Sequence, residues 1–221
     1  MTAQGVLLDV GVVMVKSVRE MVDDYERLSG LAPGTIPGRG PFAPGGDPAW
    51  QSHLDGTISE RDYWMAFADR GVQAGAPLNG HPHLMRAICQ HPDIEVIKPQ
   101  ATGLVNDALQ AGLRAGILTN ELISFQGQEW VDAQPIFRAV HVLCDAQQMG
   151  IAKPNPEPYR VAIEQMGLAA ADIVFLDDNP KYVEGGVKAG LDCVLLSVLN
   201  VDGAYREVRL RCGLAVSSSV A

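Results

Sequence analysis

The chain has 221 residues, 47% of them hydrophobic, as expected for one globular domain or one domain carrying an insert. A formal charge of −9 without any basic stripe argues against a nucleic-acid binder, though not against an anionic small ligand, because a local cation can invert the field. No run reaches the roughly 18 apolar residues of a membrane span, Met1–Gln4 lack the basic start of a secretory leader, and Cys89, Cys144, Cys193 and Cys212 form no CxxC pair. A cytoplasmic protein with reduced, mostly buried thiols is therefore expected.

Residues 5–15 (GVLLDVGVVMV) are apolar around a single Asp and predict a strand buried on both faces, with its turn. Residues 17–30 predict a helix, with Ser17 as N-cap, Glu20 three positions later and Gly30 as the stop. Residues 32–48 are rich in Pro and Gly and predict a loop. Helical patterns resume at 50–54, at 59–71 with Ser59 as cap, and at 83–90. Strands return after Pro99, alternating with helices. Helix 101–111 leads to strand 114–118, helix 123–132 to strand 139–143, helix 156–166 to strand 173–176, and helix 180–189 to strand 192–196. A last helix is expected over 203–211. This alternation predicts right-handed βαβ units, hence an α/β fold with a Rossmann-like three-layer parallel sheet. Residues 1–15 and 97–221 form its core domain, and 16–96 an α-helical cap inserted after the first strand.

Ligands bind outside the carboxyl ends of the strands in such a sheet, so the strand ends carry the functional argument. The first strand ends in Asp9, the second in Thr119–Asn120, Lys153 follows the third, and the fourth ends in Asp177–Asp178. Adjacent carboxylates are costly unless a cation or proton neutralises them, and hard oxygen ligands beside a phosphate suit Mg2+. A carboxylate can serve as nucleophile, a metal can clamp phosphoryl oxygens, and hydroxyl, amide and ammonium groups can hold developing charge.

The order DVG, LTN, KPNPEPYRVAIEQMG and VFLDDN resembles the haloacid dehalogenase-like superfamily, in its branch with an α-helical cap between the first two motifs. The resemblance covers about residues 5–197. Within the superfamily the chain looks most like the group holding the N-terminal phosphatase-like domain of soluble epoxide hydrolases and sugar-phosphate phosphatases. It implies that Asp9 attacks phosphorus to form an aspartyl-phosphate, that Thr119 and Asn120 bind phosphoryl oxygens, and that Lys153 holds Asp9 and the phosphate together. It also implies that Asp178, Asp9 and the Gly11 carbonyl hold Mg2+, with Asp177 close by. The implied partner is a small phosphorylated metabolite, with neither nucleic acid nor membrane.

The departure lies in the first motif. Typical phosphatases of the superfamily place a second Asp two residues after the nucleophile, to protonate the leaving oxygen and later activate water. Gly11 stands here, and Val13 occupies the usual Thr position. Losing a general acid costs roughly 10²–10⁴ in rate. Three readings remain: a phosphatase for good leaving groups or with another proton source, a catalytically silent ligand- or partner-binding member, and a metal-independent 2-haloacid dehalogenase. The last would need an arginine near the cap start, for which Arg27 and Arg39 are available. His53 in the cap is the best substitute acid. His81, His83, His91 and His141 show no ligand spacing, and a metal site at GHPHL is not expected. Trp50, Tyr63, Trp64 and Phe67 read as cap core, and Trp130 as packing on the sheet. Arg39 is the one cation of loop 32–48 placed to reach an anionic substrate.

Overall fold

The computed structural model describes residues 2–38, 40 and 47–216. Arg39 and residues 41–46 of the same loop lie outside the described residues. By contacts the chain divides into two compact units, one of residues 1–15 and 97–221, the other of residues 16–96.

The first unit is built on a five-stranded sheet of β1 (Gly5–Leu8), β2 (Arg114–Thr119), β3 (Val142–Asp145), β4 (Ile173–Asp177) and β5 (Asp192–Leu195). All neighbours are parallel and the order is β3-β2-β1-β4-β5. The central strands carry unbroken apolar runs because both faces are covered: Val6, Leu7, Leu8, Ile117, Val174, Phe175 and Leu176 have no exposed surface.

Helices α5 (Pro99–Gln110), α9 (Pro156–Met166), α10 (Pro180–Lys188) and α11 (Val201–Arg211) supply the crossovers and covers. Helices α9 and α10 pack together and on β2 to β5, while α5 and α11 pack together and on the sheet. The first pair lies very close. A Cβ at Gly186 would sit 2.8 Å from Cys193 Sγ and 2.9 Å from Phe175 Cδ1, so only glycine admits α10 at this distance.

The second unit is all helical: α1 (Val18–Leu28), α2 (Pro48–Leu54), α3 (Glu60–Gln73) and α4 (Leu84–Cys89). Ser17 and Glu20 form the expected capping box. Ser59 caps α3 likewise, with Asp62 returning the second bond. Tyr63 and Phe67, four residues apart, are fully buried, and Trp64 between them is only partly so. Trp64 packs edge-on against Tyr63 at 4.8 Å and donates its indole N–H to Glu60 Oε1. His53 rests on Trp50 at 4.8 Å. His83 is an N-cap, its Nδ1 accepting from Arg86 N, and burial lowers its pKa. No helix among the described residues is long and apolar enough to cross a membrane.

Two expectations fail between β2 and β3. The helix expected over 123–132 is broken at Gly127, where φ is +84°, into α6 (Leu122–Gln126) and α7 (Gln128–Ala133). Pro135 then starts α8 (Pro135–Ala139), which takes Ala139, the residue expected to open the third strand. The strand is displaced to Val142–Asp145 and ends in a carboxylate. Trp130 stacks on Phe137 of α8, with ring centroids 5.9 Å apart.

Candidate active site

The sheet register assembles the site. Leu8 pairs with Leu176 across β1 and β4, so the next residues, Asp9 and Asp177, leave adjacent strands at one level. The Asp9 amide donates to Leu176 O at 2.9 Å, which ties the strand ends together. On the other side Leu8 pairs with Ile117, which brings Thr119 to the same edge. Asp9, Thr119, Lys153 and Asp177 are all buried, Asp178 is half-buried and Gly11 is exposed.

Lys153 is the centre of this cluster. Its ammonium donates to Asp9 Oδ1 at 2.8 Å, Asp177 Oδ2 at 2.6 Å and Leu118 O at 3.1 Å. An ammonium has three hydrogens, and here each has an acceptor. The Tyr182 and Phe175 rings lie 4.9 and 5.5 Å away. Burial alone would lower the Lys153 pKa, but the Asp177 and Asp9 carboxylates outweigh it and hold the ammonium well above its ordinary value.

Asn120 holds this lysine by the backbone. Its Oδ1 accepts from Lys153 N at 2.8 Å and its Nδ2 donates to Lys153 O at 3.3 Å. The side chain is thus a clasp between the end of the second strand and the segment after the third. Asp177 Oδ1 accepts from Asn179 N at 2.8 Å. Burial pushes the Asp177 carboxyl up to about 6; the Lys153 ammonium opposes this and the Asp9 charge adds to it.

Asp9, Asp177 and Asp178 each present an oxygen within 4.8 Å of the others. This all-oxygen donor set fits one hard divalent cation.

Asp145 was not anticipated. It is buried at the end of β3 and accepts from Ile123 N at 2.8 Å and Gln147 N at 3.2 Å. Burial raises its pKa and these backbone bonds oppose the rise. It anchors the loops on either side of β3. Its sequence signal was a short apolar run, VLC, ending in a carboxylate.

Residues 5–190 match the model of the family described as haloacid dehalogenase-like hydrolase. A phosphatase of Mycobacterium tuberculosis is 30% identical over 112 residues, 50% of this chain and 52% of that protein. A phosphoserine phosphatase of Thermus thermophilus is 29% identical over 140 residues, 63% of this chain and 54% of its own length. The match therefore spans about half the length of these relatives. The L-2-haloacid dehalogenase of Xanthobacter autotrophicus shares the fold, with a TM-score of 0.56 and 17% identity, covering 88% of this chain and 77% of that one. With the strand-end motifs at one edge of a parallel sheet and a family match over nearly the whole sheet, the chain belongs to the haloacid dehalogenase-like hydrolases.

Proposed function

We propose that the protein is a Mg2+-dependent phosphatase of a small organic phosphate, working through an aspartyl-phosphate at Asp9. The observation that carries this reading is the three-carboxylate cluster at the strand ends with Lys153 bridging Asp9 and Asp177. A 2-haloacid dehalogenase has no use for a cation, whereas this cluster is an all-oxygen donor set suited to one. The phosphatase names of the relatives support the same choice.

Asp9, Asp178 and the Gly11 carbonyl would hold Mg2+, with Asp177 beside them. The bound ion would neutralise phosphoryl oxygens and draw charge from the transition state. Asp9 Oδ1 is held by Lys153, so Oδ2 is the attacking atom. It forms a bond to phosphorus as the bond to the leaving oxygen breaks, and the electron pair departs with that oxygen. Water then attacks phosphorus as the bond to Asp9 breaks, its proton passing to solvent or to a phosphoryl oxygen, with inorganic phosphate as product. Lys153 orients Asp9 and supplies positive charge without needing a further hydrogen bond. Thr119 and the Asn120 amide receive the equatorial oxygens. With glycine at position 11, an acyl phosphate, whose leaving group needs no proton, is the favoured substrate type over an alkyl phosphate.

The test is release of phosphate from acetyl phosphate and p-nitrophenyl phosphate, with Mg2+ and with EDTA, for the wild type and Asp9→Asn. Turnover that needs Mg2+ and vanishes in Asp9→Asn is expected. Metal-independent turnover of a 2-haloacid would replace this reading with the dehalogenase, and inactivity on all three compounds would replace it with the silent binder.

A further inference from the structure

The segment after Asp9 is held in an unusual conformation. The Val13 amide donates to the Gly11 carbonyl at 2.5 Å, and Val12 between them has φ of +58°. An i→i+2 bond around a positive φ marks the rare, strained form of the γ-turn. For a β-branched residue this backbone region is a genuine outlier. Strain of this kind persists only where the surroundings over-determine it, and it gathers at ligand-holding sites.

Two donors from distant parts of the same unit grip this turn. Lys98, at the N-terminus of α5, donates from Nζ to Val12 O at 2.6 Å. Tyr205, on α11, donates its hydroxyl to Val13 O at 2.8 Å. Both side chains are buried, so water does not readily replace either bond. The Lys98 amide also donates to Met14 O at 2.8 Å, and Val15 bridges to Ile97. The carbonyls on the far side of the turn are thus fixed from two directions, and the Gly11 carbonyl is fixed through them.

We propose that Lys98 and Tyr205 are positioning residues for the metal centre: by gripping the Val12 and Val13 carbonyls they hold the Gly11 carbonyl toward Mg2+. This rests on the metal reading given above. Both bonds go to backbone carbonyls of the turn. Removing either grip lets the turn relax toward an ordinary conformation and turns the Gly11 carbonyl away. Partners behind a metal ligand typically control affinity by 10- to 100-fold, and that is the loss expected here.

The experiment is calorimetric titration of Mg2+ alone into the EDTA-stripped, dialysed full chain, with thermal unfolding measured alongside. Wild type, Lys98→Met, Lys98→Arg, Tyr205→Phe and Asp178→Asn are compared. Lys98→Met and Tyr205→Phe should each weaken Mg2+ about 10- to 100-fold, with Lys98→Arg recovering part of the loss. Lowered thermal stability with unchanged Mg2+ affinity in both would overturn the proposal, since the two bonds would then be structural only. Tyr205→Phe removes a single oxygen and decides the matter if Lys98→Met does not fold. A wild type that takes up no Mg2+, or an Asp178→Asn that binds as the wild type does, would overturn the metal reading itself.

Discussion

Position 11 offers the sharpest perturbation. A Cβ built on Gly11 would meet only Asp9 Oδ2, at 3.6 Å, which is ordinary van der Waals contact. The backbone there is not in the left-handed region, and the residue is exposed. Gly11→Asp should therefore fold without strain and place a carboxyl beside the proposed nucleophile. Close to Asp9 its pKa would be raised, because two carboxylates in proximity resist double ionisation, and a raised pKa suits a general acid. General acid–base catalysis contributes about 10²–10⁴ in rate, or roughly 3–5 kcal/mol of barrier. The gain should be largest for alkyl phosphates and small for acetyl phosphate. The assay is kcat/KM for wild type and variant across aryl and alkyl phosphates of graded leaving-group pKa. A flatter dependence on leaving group is expected in Gly11→Asp. A fully folded variant that binds Mg2+ yet keeps the wild-type dependence would refute the reasoning, and would mean that another group already delivers the proton.

The other predictions concern the charges and the packing. Lys153→Met removes the ammonium that bridges Asp9 and Asp177 and should cost about 3–5 kcal/mol in denaturant unfolding of the metal-stripped protein, with the loss reduced when Asp177→Asn is added. The raised Asp177 pKa, about 6, makes the metal-stripped native state bind more protons than the unfolded chain. The resulting stability is fully present below the ordinary carboxylate pKa, roughly 4, and is lost as pH rises through about 6. Unfolding measured from pH 4 to 7 should show a smaller slope in Asp177→Asn than in the wild type, with Asp145, also raised by burial, contributing to both. By the same linkage Mg2+ affinity should fall as pH drops through that value, because the proton and the ion compete for one carboxylate cluster. Gly186→Ala forces a methyl against Cys193 and Phe175 and should destabilise by about 1–3 kcal/mol, read by chemical denaturation.

Apolar runs ending in polar groups made β1, β2 and β4 legible, because strands covered on both faces carry little but apolar residues and a charge marks where they leave the core. Helix α9 was legible to the residue, bounded by Pro156 at its first turn and Gly167 at its end. The region between β2 and β3 was not. Whether the apolar stretch PIFRAVHVLCD turns as helix or extends as strand depends on what covers it, and periodicity cannot separate the two in so short a run.

For the site, the sequence by itself determined which chemical groups the strand ends carry. Only the tertiary structure decided their pairing. Asp9 and Asp177 are adjacent because β1 and β4, far apart in the chain, share a parallel register. Lys153 reaches across 144 residues to Asp9, Asn120 clasps the backbone of Lys153 rather than offering its side chain outward, and Lys98 and Tyr205 hold a turn that no local pattern announces. Residue type is local information, whereas a buried ammonium's three acceptors and a strained turn's two grips are set by long-range contacts that exist only once the layers have packed.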